Sequence, residues 1–86
     1  MMHYNKGYIN WACRRGMLEL DLILLPFFKY KYDALIEEDK KLFFSLLQKE
    51  DIILFKWIIN YVEPDNINYK HIIQLIQQFN QKYNDK

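Results

Sequence analysis

Apolar residues recur along this chain three and four positions apart, and little interrupts them: 86 residues contain only two glycines and two prolines. An all-β fold needs a turn signal every few residues, so this shortage points to helices joined by short connections. A chain of this size is one small domain that buries roughly 60–65% of its unfolded surface, so its apolar residues must be used efficiently. With 51% hydrophobic and 17% aromatic residues it has the material for a dense core, and the composition argues against disorder.

The spacing predicts five helices in a compact all-α domain comprising residues 1–86. The first covers about 6–13, with Tyr8, Ile9, Trp11 and Ala12 as apolar candidates and Gly16 placed to stop it. The second runs over about 17–30, with Glu19 and Asp21 near its start. Pro26 inside it predicts a kink or an early stop. The third covers about 37–48, with Leu42, Phe43, Leu46 and Leu47 as its stripe. Ile36 stands where a polar cap is usual, and Asp33 is a loosely spaced alternative. Asp51 reads as the N-cap of a fourth helix over about 52–61, apolar nearly all round and therefore central. Glu63, Pro64, Asp65 and Asn66 break it. The fifth, about 69–81, has the clearest amphipathic stripe: Tyr69, Ile72, Ile73, Ile76 and Phe79, continued at Tyr83.

Several function classes drop out. The net charge is +1, from 12 basic and 11 acidic residues. Lysines 29, 31, 40, 41, 49, 56, 70 and 82 are scattered among acids, so no basic face for nucleic acid is expected. Cys13 is the only cysteine, which excludes an intrachain disulfide and suggests a reducing compartment. The first eight residues contain no apolar core of a secretory signal. The longest apolar run, 22–28, is far below the roughly 20 residues of a membrane span, so a cytoplasmic protein without membrane insertion is expected.

The inventory for catalysis is poor. There is no threonine, and the only serine, Ser45, sits mid-helix, where a hydroxyl usually bonds back to its own helix. His3 and His71 are far apart and read as solvated surface side chains. Cys13 does not complete a zinc-site spacing with them and reads as a small packed residue rather than a nucleophile. Glycines at 7 and 16 alone allow neither a P-loop nor a dinucleotide-binding fingerprint. Glu37, Glu38 and Asp39 read as a solvated first turn, not a metal site. Trp57 reads as core, while Trp11 fits core and interface equally. The chain is expected to be no enzyme and to hold no metal or cofactor of its own.

One feature stands apart. Arg14 and Arg15 are the only arginines, and every other basic residue is lysine. They lead into Gly16 and then Met17-Leu18-Glu19-Leu20-Asp21. A guanidinium offers a planar fork suited to carboxylates and carbonyls, whereas lysine offers a point charge. Arg15, Gly16 and Glu19 therefore read as a recognition surface, expected to form one exposed patch at the first helix junction. The competing reading is a plain helix-surface pair between Arg15 and Glu19, worth about 0.2–0.5 kcal/mol. Gly16 counts against it, because glycine inside a continuous helix costs about 1 kcal/mol relative to alanine.

The string from Trp11 through Arg14-Arg15-Gly16 to Glu19-Leu20-Asp21, followed by Leu24-Leu25-Pro26-Phe27-Phe28, resembles the SdhE family, the FAD assembly factors of succinate dehydrogenase. The likeness continues through Tyr32-Asp33-x-Leu35, Leu46-Leu47 and Asp51-x-x-Leu54-Phe55-x-Trp57-Ile58, over about residues 5–80. It implies a five-helix protein that assists covalent attachment of FAD to the flavoprotein subunit of succinate dehydrogenase, or in some bacteria of fumarate reductase. The flavin belongs to that partner. The resemblance carries the signature onto Arg15, Gly16 and Glu19, with Arg14 and Met17 as flanking contacts. The free chain is expected to be a monomer. Some members have carried an antitoxin label, so a regulatory antitoxin-like protein is the second reading. A small helical nucleic-acid binder is the third.

Overall fold

The computed structural model describes residues 5–84. The Asn5 side chain accepts a hydrogen bond from the Tyr8 N–H at 3.0 Å and caps α1 (Lys6–Ala12). His3, read as a surface side chain, lies outside the described residues. The chain then turns at Gly16, whose φ is +81°, and enters α2 (Leu18–Lys31). Glu19 and Asp21 in the first turn and Lys29 and Lys31 in the last complement the helix dipole.

Of the two outcomes expected at Pro26, a kink or an early stop, the early stop does not occur, and α2 continues to Lys31. Leu24 and Phe27, on either side of the proline, are fully buried. Their burial, about 2 kcal/mol each, offsets a proline cost of about 3 kcal/mol. A short 3₁₀ turn (Tyr32–Ala34) follows, then α3 (Glu37–Leu46). Ile36 occupies the N-cap of α3 with no side-chain bond, while Asp33 instead pairs with Lys6 at 2.9 Å.

Asp51 is not an N-cap. Glu50 holds that place, without a side-chain bond, and Asp51 is the first residue of α4 (Asp51–Leu54). This helix widens into a π-helical turn (Phe55–Ile59), closed by the Asn60 N–H on the Phe55 carbonyl at 3.1 Å. Gln77 of α5 (Ile67–Asn84) donates to the carbonyls of Trp57 and Ile58, each at 3.2 Å. Tyr61 then takes a φ of +59°, and the Val62 N–H reaches back to the Lys56 carbonyl at 3.0 Å. The fourth helix is less central than its composition suggests. Leu54 and Ile58 are buried, but Ile52 is 57% exposed.

α2 and α5 pack together; α5 also meets α3 and the π turn. Phe27 lies within this layer, its ring 5.2 Å from that of Phe43 and 5.7 Å, edge-on, from that of Phe79. Trp57 packs against the core as expected, 5.6 Å from the Tyr69 ring. Two polar contacts tie α3 to α5 where solvated or local bonding was expected. The Ser45 hydroxyl meets the Tyr69 hydroxyl at 2.6 Å instead of bonding back to its helix. His71 is not merely solvated: its Nε2 lies 3.0 Å from Oδ1 of Asp39, which is buried while Glu37 and Glu38 stay exposed. A buried carboxylate needs such a partner. No strand occurs among the described residues, and none of their helices is long and apolar enough to cross a membrane.

Candidate functional site

Residues 13–17 join α1 to α2, and the two-arginine motif sits there. The Arg14 N–H donates to the Trp11 carbonyl at 3.0 Å, closing α1. The Arg15 N–H donates to Asp21 Oδ1 at 2.7 Å, so a carboxylate in the first turn of α2 holds the junction from the other side. Between them Gly16 takes its left-handed conformation. A Cβ built there meets nothing within 4 Å, so φ, not crowding, favours glycine, and the backbone surface is open.

The Arg15 side chain turns inward and is 13% exposed. Its Nε donates to Asp51 Oδ1 at 2.7 Å. One terminal nitrogen donates to the carbonyls of Ala12 at 3.0 Å and Leu47 at 2.8 Å, and the other to the Lys49 carbonyl at 2.6 Å. The guanidinium thus fastens the end of α1 to the α3–α4 connection and the first residue of α4. The expected single exposed patch is therefore divided. Gly16, Glu19 and Arg14 are exposed, but Arg15 is not. The chemistry attributed to its fork is present, directed at a carboxylate and carbonyls of its own chain.

The helix-surface pair between Arg15 and Glu19 does not form, because Arg15 is engaged by Asp51. Among the described residues the Glu19 carboxylate has no hydrogen-bond or ion-pair partner. Met17 is half-buried and packs against the core. Leu18 and Leu22, one turn apart on α2, are both more than half exposed, at 69% and 61%. Trp11 is 67% exposed, so of its two readings core packing falls away. It borders a shallow depression of about 220 Å³ with Tyr8, Arg14, Leu47 and Asp51.

This arrangement can bind but offers little for covalent chemistry. Cys13 is fully buried, and burial pushes its thiol up to about 12, so the thiolate is absent at neutral pH. Among the described residues no three His, Cys, Asp or Glu side chains are placed to hold a metal ion.

A family model described as the flavinator of succinate dehydrogenase matches residues 8–80. The chain belongs to this family. Proteins named FAD assembly factor SdhE from Serratia sp. (strain ATCC 39006), Photorhabdus laumondii subsp. laumondii and Pectobacterium atrosepticum are each 50% identical to it over 76 residues. The match covers 88% of this chain and 86% of each relative.

Two residues of this junction were not assigned to it from the sequence: Asp21, which holds the Arg15 main chain, and Asp51, which holds its side chain. Asp21 was legible in principle, as a carboxylate in the first turn beside a glycine-containing junction. Asp51 lies 36 positions from Arg15, and no local pattern connects them.

Proposed function

We propose that this chain promotes covalent attachment of FAD to the flavoprotein subunit of succinate dehydrogenase, and that it does so by docking, not as an enzyme. The family match and the relatives named FAD assembly factors support this reading and not the antitoxin one. The observation that carries the docking site is the exposed Glu19 carboxylate, without a partner among the described residues, three residues beyond an exposed glycine in a left-handed turn. Glu19 accepts hydrogen bonds from donors on the flavoprotein, and Gly16 lets its backbone come close. Arg14 and Met17 flank the contact. Arg15, carried over as a contact residue, serves instead by building the surface.

FAD is held by the partner, and the factor acts by keeping the partner's own groups in a productive arrangement. The free factor is a cytoplasmic monomer that binds no nucleic acid, and the flavoprotein of fumarate reductase is a second client. The test is co-expression with a succinate dehydrogenase flavoprotein subunit, reading covalent flavin by in-gel fluorescence. The wild-type chain raises the signal and Glu19→Ala does not. No rise with the folded wild-type chain refutes the function.

A further inference from the structure

We propose that Asp51 is a positioning residue for flavoprotein docking, acting through Arg15. The inference rests on the reading that Glu19 docks.

Arg15 joins three segments that are distant in sequence. Its side chain reaches the last residue of α1, two carbonyls of the α3–α4 connection and the first residue of α4. Three of these acceptors are neutral carbonyls, and the charged one is Asp51, at 2.7 Å. A guanidinium that is 13% exposed needs a counter-charge, because carbonyls alone leave a desolvated cation uncompensated. Asp51 supplies it and fixes the plane of the fork through Nε.

The other end of Arg15 is held by Asp21, 2.7 Å from its N–H. Asp51 and Asp21 therefore grip one residue from opposite sides, and that residue enters the Gly16 turn. Glu19 lies in the first turn of α2, directly beyond it. The direction in which Glu19 leaves the surface is thus set by where Arg15 is anchored. Without Asp51 the guanidinium keeps only the carbonyls of Ala12, Leu47 and Lys49, the junction loses its tie to α4 and its counter-charge, and Glu19 samples several directions. A partner that needs one direction then binds more weakly, while the complex, once formed, is unchanged.

The experiment uses the full chain, a purified succinate dehydrogenase flavoprotein subunit lacking covalent flavin, and FAD. The rate of covalent flavin formation is followed against factor concentration, at a temperature where circular dichroism shows every variant folded. Asp51→Ala is expected to raise the half-maximal concentration about tenfold, the size of a coupling between residues in one network. The saturating rate stays within about twofold of wild type. Asp51→Asn keeps an acceptor oxygen, gives a smaller shift, and decides the matter if Asp51→Ala does not fold. Adding Asp51→Ala to Arg15→Gln shifts nothing further, because both break the same link. Asp33→Ala, which removes the surface pair with Lys6, leaves both parameters unchanged.

An unchanged half-maximal concentration in the folded Asp51 variants overturns the proposal, as does a defect confined to the saturating rate or one that multiplies with Arg15→Gln. Glu19→Ala is run beside them. If it fails while Asp51→Ala behaves as wild type, only the positioning role falls. If Glu19→Ala is also wild type, the docking reading falls and takes this proposal with it.

Discussion

Arg15→Lys keeps the charge and removes the fork, so it isolates what the guanidinium geometry contributes. Four hydrogen bonds, from 2.6 to 3.0 Å, run from three nitrogens to acceptors on three segments. The lysine nitrogen is a single point and cannot reach them all. If it keeps the Asp51 contact, the bonds to the Ala12, Leu47 and Lys49 carbonyls are lost. At about 1 kcal/mol net for each, the variant is about 3 kcal/mol less stable. In a domain of this size each kcal/mol moves the melting temperature by about 4–8 °C, so a fall of roughly 12–24 °C is expected. Thermal and urea melts followed by circular dichroism measure it, with Arg14→Lys as the control. The Arg14 side chain is exposed and has no partner among the described residues, so its variant should stay within about 0.5 kcal/mol of wild type. Should Arg15→Lys melt together with Arg14→Lys, the guanidinium does not fasten the junction and the structural role given to it is wrong.

Two further outcomes follow from the same junction. At a φ of +81° with no atom within 4 Å of a built Cβ, Gly16→Ala and Gly16→Arg should each cost about 1–2 kcal/mol, without an added clash. The arginine variant should lose far more covalent flavin than the alanine variant when both are assayed folded; equal, wild-type yields would remove the close-approach role of Gly16. Cys13 ionises well above a surface thiol: burial raises its pKa from 9.0 to about 12, so its thiolate forms preferentially in the unfolded chain. Its contribution to stability is intact below pH 9 and declines as pH rises from 9 towards 12, by up to about 1.4 kcal/mol per pH unit. Alkaline urea melts should show a shallower decline for Cys13→Ala than for wild type, and parallel curves would refute the assignment.

The helices were legible in the sequence because their signal is periodic and local. The stripe of α5 needs only its own residues to be read, and Ile72, Ile73 and Ile76 are buried as it implies. What was misread depended on partners far away in the chain. Asp51 looked like a helix cap because it stands before an apolar run, yet its carboxylate serves Arg15. The span expected for α2, about 17–30, did hold, because buried Leu24 and Phe27 anchor it on either side of Pro26. Asp39 was within reach of sequence reasoning. It lies four and seven positions before Phe43 and Leu46, on the face that α3 buries, and only its neighbours Glu37 and Glu38 belong to the solvated side. A carboxylate on a buried stripe should have prompted a search for a partner, and His71, beside buried Ile72, was available.

The two adjacent arginines show why a recognition motif need not be a contact list. Arg14 points to solvent, where a lysine would carry the same charge. Arg15 points inward, where only a planar fork can satisfy a carboxylate and three carbonyls on separate segments. Gly16 lets the chain turn between this anchor and α2, and Glu19 is left facing outward without a partner among the described residues. Internal anchor, turn and outward group thus fall within five consecutive positions, and on the docking reading replacing any of the three is expected to weaken the same surface. Loss of activity in an Arg15 variant therefore does not show that Arg15 meets the flavoprotein. A contact residue weakens docking at unchanged stability, as expected of Glu19, whereas Arg15 should lower stability and docking together. The ratio of the two losses, position by position, separates the residues that touch the partner from those that hold them in place.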